Sequence, residues 1–213
     1  MGFIDVNGVS FSLPDGRPLL ADLAFRVTEG RTTALIGANG AGKSTLLRII
    51  RNELRPDEGS VQVDGGLGVM DQFVGTGRTV PGASPTVAGL LVSVAPKRIR
   101  DSALELEASE DALIERDDTE TQMRYASALA EYAEAGGYEQ EVVWDHCTMA
   151  ALGIPFERAK WRELATLSGG EQKRLALEAL LRGPEQVLLL DEPDNSLDVP
   201  GKRWLEAELR ATP

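Results

Sequence analysis

The run Gly37-Ala38-Asn39-Gly40-Ala41-Gly42-Lys43-Ser44 constrains this chain more than any other segment. It fits G-x-x-x-x-G-K-[ST], and its flanks fit the same reading. The β-branched, apolar stretch Thr32 to Ile36 before it reads as a short buried strand. Leu46, Leu47, Ile49 and Ile50 after it recur at helical spacing within 44–52. A strand that turns through glycines into a helix is half of a parallel α/β unit. The glycines let the backbone curl so that its N–H groups face inward, and the helix N-terminus adds partial positive charge. Gly37 to Ser44, with Thr45 beside them, are therefore candidate phosphate ligands. Lys43 is placed to reach the β- and γ-phosphates of a nucleotide, and the Ser44 hydroxyl suits Mg²⁺.

Around this loop the pattern changes twice. Val9, Phe11 and Leu13 alternate with polar residues, as do Leu23, Phe25 and Val27, with the turn Pro14-Asp15-Gly16 between them. Such alternation predicts half-buried antiparallel strands. Val61 to Gly65 reads as a further strand ending in a turn. Residues 101–135 are rich in Ala, Glu and Leu and hold no Pro or Gly, which predicts a helix. Gly136-Gly137 ends it and a second helix runs from Glu139 to Ala151, so the pair reads as a helical hairpin. The α/β pattern then returns: a helix over 171–182, a stop at Gly183-Pro184, the apolar strand Val187 to Leu190, and an amphipathic helix over 201–210.

Two further elements carry chemistry. Val187-Leu188-Leu189-Leu190 ends in Asp191-Glu192. Ligands collect at the carboxyl ends of parallel strands, next to a phosphate loop. There Asp191 suits Mg²⁺, and Glu192 suits the general base that orients an attacking water. Ser168-Gly169-Gly170-Glu171 is a cap residue and a glycine pair at a helix start, a second place where free N–H groups can meet an anion.

Composition excludes other classes. The net charge is −12, and residues 101–141 hold 13 acidic and two basic residues, so the remainder is close to neutral. An acidic body does not bind phosphate backbones by itself, and no direct DNA binding is expected. The apolar runs are far too short to span a bilayer and no signal-peptide pattern opens the chain, so no membrane insertion is expected. Cys147 is the only cysteine, which rules out an intrachain disulfide and the usual zinc modules.

The phosphate loop, Leu167-Ser168-Gly169-Gly170-Glu171-Gln172 and Leu188-Leu189-Leu190-Asp191-Glu192-Pro193 occur in the order and register of ATP-binding-cassette (ABC) ATPases, and the resemblance covers essentially the whole chain. It implies a P-loop NTPase (RecA-like) α/β core with an antiparallel β N-terminal subdomain and an inserted α-helical subdomain. Within one domain, 1–75 would hold the β subdomain and the first part of the core. Residues 76–165 would hold the helical subdomain with the acidic hairpin at about 101–151, and 166–213 the return to the core. The resemblance implies ATP and Mg²⁺ as ligands and two such domains packed head to tail, in one chain or as a homodimer. Ser168, Gly169, Gly170 and Glu171 would then touch a γ-phosphate held by the facing domain, and Asp198 would contact that domain. Gln72 matches the family's Q-loop glutamine, near Mg²⁺ and the attacking water.

Gln72 and Ser168 stand 96 positions apart, more than in ABC transporter subunits. The long acidic hairpin, Gly136-Gly137-Tyr138-Glu139, Trp144-Asp145-His146 and the run Leu167 to Leu177 resemble the first domain of an ABC-F protein. That resemblance implies a cytoplasmic ATPase whose partner is the ribosome, in translation or in protection against antibiotics; the alternative is the ATPase subunit of a transporter. Three departures stand out. Asp194 and Ser196 differ from the subfamily's DEPTNHLD. His146, the only histidine, precedes the second acidic motif, so the family's switch histidine and its strand are expected to be missing and the isolated chain to bind ATP with little turnover. Leu13 occupies the place where many ABC domains stack an aromatic on adenine, with Phe11 on the same strand face.

Overall fold

The computed structural model describes residues 2–71, 74, 76 and 79–211. From the N-terminus, β1 (Phe3–Ser12), β2 (Pro18–Thr28), α1 (Lys43–Ile50), β3 (Glu58–Asp64) and β4 (Leu67–Met70) lead into the helices α2 (Val87–Val94), α3 (Lys97–Glu115), α4 (Thr119–Ala135), α5 (Gly137–Leu152) and α6 (Phe156–Ala159). Then α7 (Gly169–Leu181), β5 (Val187–Leu190) and α8 (Val199–Ala211) follow. The alternating N-terminal segments pair as the antiparallel sheet β2-β1-β3. Its inward side chains, among them Ile4, Val6 and Val9, share a hydrophobic cluster with Leu46, Ile49 and Ile50 from one face of α1.

β5 is the hinge between two cores. It pairs in parallel with β4, from Leu67 opposite Val187 to Met70 opposite Leu190. Because side chains alternate along a strand, Val187 and Leu189 join the cluster under the N-terminal sheet. Leu188 and Leu190 pack against the second cluster, formed by α2, α5, α7 and their neighbours. Both faces are covered, as an uninterrupted apolar strand of a parallel sheet requires. The whole is a P-loop NTPase-like α/β core with an antiparallel β subdomain and helical insertions. Among the described residues no helix is long and apolar enough to cross a membrane.

Two expectations need correction. Residues 32–36 do not form a strand: 31–38 run without ladder pairing and exposed, with Leu35 46% and Ile36 90% accessible. An apolar, β-branched run becomes a strand only when a second strand offers it an edge, and the β4–β5 sheet has two strands.

The helical hairpin also differs. The helix expected over 101–135 breaks at 116–118, where Asp118 begins α4. Its carboxylate accepts from the Glu120 and Thr121 N–H groups, while the Thr121 hydroxyl serves the Asp118 N–H. The Thr121 hydroxyl also donates to the Arg116 carbonyl at 2.5 Å, closing the turn. α3 and α4 therefore fold back on each other, tied by Arg124 to Glu105 at 2.8 Å and by Arg98 to the Glu134 carbonyl at 2.8 Å. The hairpin is thus 97–135. α5 starts at once after the left-handed Gly136 and buries Trp144, Cys147 and Thr148 in the helical core. Burial pushes the Cys147 thiol up to about 12, so it stays protonated and inert at neutral pH.

Candidate nucleotide-binding site

The loop 37–42 delivers α1 without a side-chain cap. Gly42 takes the N-cap position at φ 93°, and no acidic residue stands in the first turn. The first-turn N–H groups are thereby left for an anion. Gly42 also allows a close approach: a Cβ there would lie 2.7 Å from Leu20 Cδ2 and 3.1 Å from Leu19 Cγ. β2 thus packs directly beneath the loop. The Lys43 ammonium donates to the carbonyls of Gly37 at 2.8 Å and Ala38 at 3.0 Å, and the Ala41 N–H donates to the Ala38 carbonyl at 3.2 Å. The loop thus holds its own lysine.

A cleft of about 540 Å³ opens beside it. Asn39, Gly40, Gly42, Lys43, Ser44 and Thr45 line one side, and Asp191 and Glu192 from the end of β5 line another. The Ser44 hydroxyl donates to Asp191 Oδ2 at 3.3 Å. A hydroxyl and a carboxylate at that separation form the sparse, all-oxygen donor set that suits Mg²⁺, an ion that keeps waters and takes substrate phosphates as its other ligands. Among the described residues no group of three or more His, Cys, Asp or Glu side chains could cage a metal.

Leu13, Arg17 and Leu19 form the remaining wall of the cleft. Phe11 does not line it and packs with the N-terminal cluster instead. Arg17 and Leu19 were not singled out from sequence. The signal was the turn Pro14-Asp15-Gly16, which brings the Leu13 N–H to the Arg17 carbonyl at 2.9 Å and so sets both side chains at one rim.

A second cavity, about 350 Å³, continues under Ser44 and Asp191 toward Arg51 and Asp71. Arg51, at the C-terminal end of α1, forms an ion pair with Asp71 and another with Glu53 at 2.7 Å. The end of the phosphate-loop helix is thereby tied to the end of β4. Gln72 comes next and lies outside the described residues.

Glu192 adopts a left-handed backbone, φ 49°, uncommon for a residue with a side chain. The Asn195 amide lies 3.4 Å from its Oε2. Ser168, Gly169, Gly170 and Glu171 do not line the cleft; they open α7. Ser168 caps the helix by accepting from the Glu171 N–H at 3.2 Å. Glu171 answers by accepting from the Ser168 N–H at 2.7 Å and its hydroxyl at 2.8 Å, a reciprocal capping box. These bonds, the backbone one first, hold the Glu171 carboxyl below the usual carboxylate range. Asp198 accepts from the Gly201 N–H at 2.8 Å at the start of α8. His146 lies exposed on α5 and does not line the cleft.

A glycine-rich loop feeding a helix, beside a parallel strand that ends in two carboxylates, defines a P-loop nucleotide-binding domain. The chain belongs to the ABC transporter family, whose sequence profile matches residues 20–195. It is 55% identical over 213 residues to an antibiotic resistance protein of Mycobacteroides abscessus, covering 100% of this chain and 38% of that protein. It is 38% identical over 201 residues to the tylosin resistance ATP-binding protein TlrC of Streptomyces fradiae, covering 92% of this chain and 35% of that one. The chain thus spans little more than a third of the length of these relatives. Among solved structures, the ATP binding subunit of an ABC transporter superposes with a TM-score of 0.62 at 20% identity over 99% of this chain and 74% of the other, which shows the shared fold. The chain is an ABC-type ATP-binding domain related to antibiotic-resistance ABC proteins.

Proposed function

We propose that this chain is the first nucleotide-binding domain of an ABC-F type ATPase that works in the cytoplasm on the ribosome, as a translation factor or in protection against antibiotics. The observation that carries the ATPase reading is the convergence of Lys43, Ser44, Asp191 and Glu192 on one cleft. Lys43 leaves the loop carbonyls for the β- and γ-phosphates of ATP. Ser44 and Asp191, with Gln72, hold Mg²⁺, which when bound neutralises charge on those phosphates. Glu192 orients the attacking water and accepts its proton. Ser168, Gly169, Gly170 and Glu171 meet the nucleotide of a facing domain, and Asp198 meets that domain's surface. Because those residues act across the interface, one domain by itself is expected to hold ATP with little turnover.

The hairpin α3–α4 supports this reading over a transporter subunit. It is an acidic device with exposed Ile114 and Met123 near its turn, inserted between the cleft and the helix that opens at Ser168. The test is cosedimentation of the full-length protein, carrying Glu192→Gln, with ribosomes in MgATP. Retention that requires ATP, and that is lost on deleting 97–135, is expected. A protein that ignores ribosomes and copurifies with a membrane subunit would overturn the proposal in favour of transport.

A further inference from the structure

Lys173 lies in the first half of α7 and is 4% accessible, among leucines and alanines of the helical core. A buried ammonium is costly unless it is hydrogen-bonded and faced by opposite charge. Here Nζ donates to the Glu192 backbone carbonyl at 2.7 Å, and the carboxylates of Glu192, Asp194 and Asp191 supply the opposing charge. The same carbonyl accepts from the Asn195 N–H at 3.2 Å. Two donors thus converge on one oxygen of a residue whose backbone is held left-handed, a conformation that persists only where its surroundings dictate it. The start of α7 presses on the same turn: a Cβ on Gly170 would stand 2.9 Å from the Ser196 carbonyl oxygen.

We propose that Lys173 is a positioning residue for ATP hydrolysis: from inside the signature helix, its ammonium fixes the turn that sets the Glu192 carboxylate in the nucleotide cleft. A methionine would fill the same space at less desolvation cost, so what the lysine adds is the bond to Glu192. The helix that opens at Ser168-Gly169-Gly170 and the turn that bears the base are joined through it. The proposal rests on Glu192 being the base, and the experiment separates the two.

Single-turnover hydrolysis, ATP affinity and thermal melting are measured for the full-length protein with Lys173→Met, Lys173→Arg, Glu192→Gln and the double variant Lys173→Met/Glu192→Gln. The expected result is a loss of about ten- to a hundredfold in the chemical step for Lys173→Met, with unchanged ATP affinity and partial rescue by Lys173→Arg. In the Glu192→Gln background Lys173→Met is expected to cost nothing more, because residues that act as a unit are non-additive. Lys173→Met turning over at the unmodified rate while Glu192→Gln is impaired sinks the role of Lys173 alone. An equal further loss in the double variant also sinks it, since Lys173 then acts apart from Glu192. If Glu192→Gln keeps full turnover, the base assignment fails, and the catalytic role of Lys173 fails with it. Should Lys173→Met not fold, hydrogen exchange of the Asp194, Asn195 and Ser196 amides in Lys173→Arg decides: faster exchange there with slowed chemistry is expected, and unchanged exchange with unchanged chemistry overturns the proposal.

Discussion

α1 and α7 both begin at glycines, and the two beginnings are built in opposite ways. α1 has no side-chain cap and no acid in its first turn. α7 is closed at both ends of its first turn by Ser168 and Glu171. An uncapped start leaves N–H groups and partial positive charge unspent, which suits a permanent phosphate site. A capped start is stable without a ligand and carries a carboxylate of its own. The start of α7 is therefore complete in the single domain, with its free groups already met by a carboxylate of its own. The start of α1 is left open, whereas the start of α7 is closed by its own side chains.

Five experiments sharpen or break this contrast. The largest effect is expected at α1. Lys43→Ala removes a charge-assisted partner of the phosphates, and MgATP binding to the chain, followed by isothermal titration, should weaken roughly ten- to a hundredfold. Affinity within twofold of the unmodified chain would move the phosphate site elsewhere. Next comes Gly170→Ala, whose methyl meets the Ser196 carbonyl. We expect a destabilisation of about 1–3 kcal/mol in urea unfolding with little change in ATP affinity of the isolated chain.

Ser168→Ala opens the capping box and should cost about 1 kcal/mol by the same assay. Its partner adds a pH signature. The folded Glu171 carboxyl is depressed below 4.5, so its contribution is present above that value and is lost as pH falls through the folded pKa. Glu171→Gln should remove that part of the acid dependence while leaving the phosphate loop untouched. An identical acid profile in both proteins would show that the cap is not formed in solution. The smallest effect on the site is expected from Asp118→Ala in the hairpin, which removes the oxygen that accepts from the Glu120 and Thr121 N–H groups. Amide exchange at 119–122 should quicken where α4 loses its cap, with ATP affinity unchanged. A change in affinity would show that the hairpin and the cleft are coupled within one domain.

Much of the site was legible because its parts are local. The spacing of Gly37, Gly42, Lys43 and Ser44 announced the loop that opens α1, and Ser168 was legible as the cap of α7, but the N–H groups expected to be free there are met by Glu171 in a reciprocal cap. The hairpin turn was written as well, in Asp118 and Thr121, but the helix-rich composition around it masked a signal of the same capping kind. Propensity summed over a long window is weaker than one satisfied cap.

What sequence alone determined is therefore what a few neighbouring residues decide between themselves: caps, the curl of the glycine loop, the alternation of β1 and β2, the apolar run of β5. Tertiary structure decided the rest. Thr32 to Ile36 has the composition of a strand and is none, because a strand needs an edge that only another segment can supply. Leu13, Arg17 and Leu19 became a wall of the cleft once a turn set them at one rim. Lys173 found its partner nineteen residues along the chain, on a carbonyl whose position depends on how α7 packs against the end of β5. Hydrogen bonds that close over three or four residues are specified by those residues, whereas contacts between elements exist only after both have folded and met.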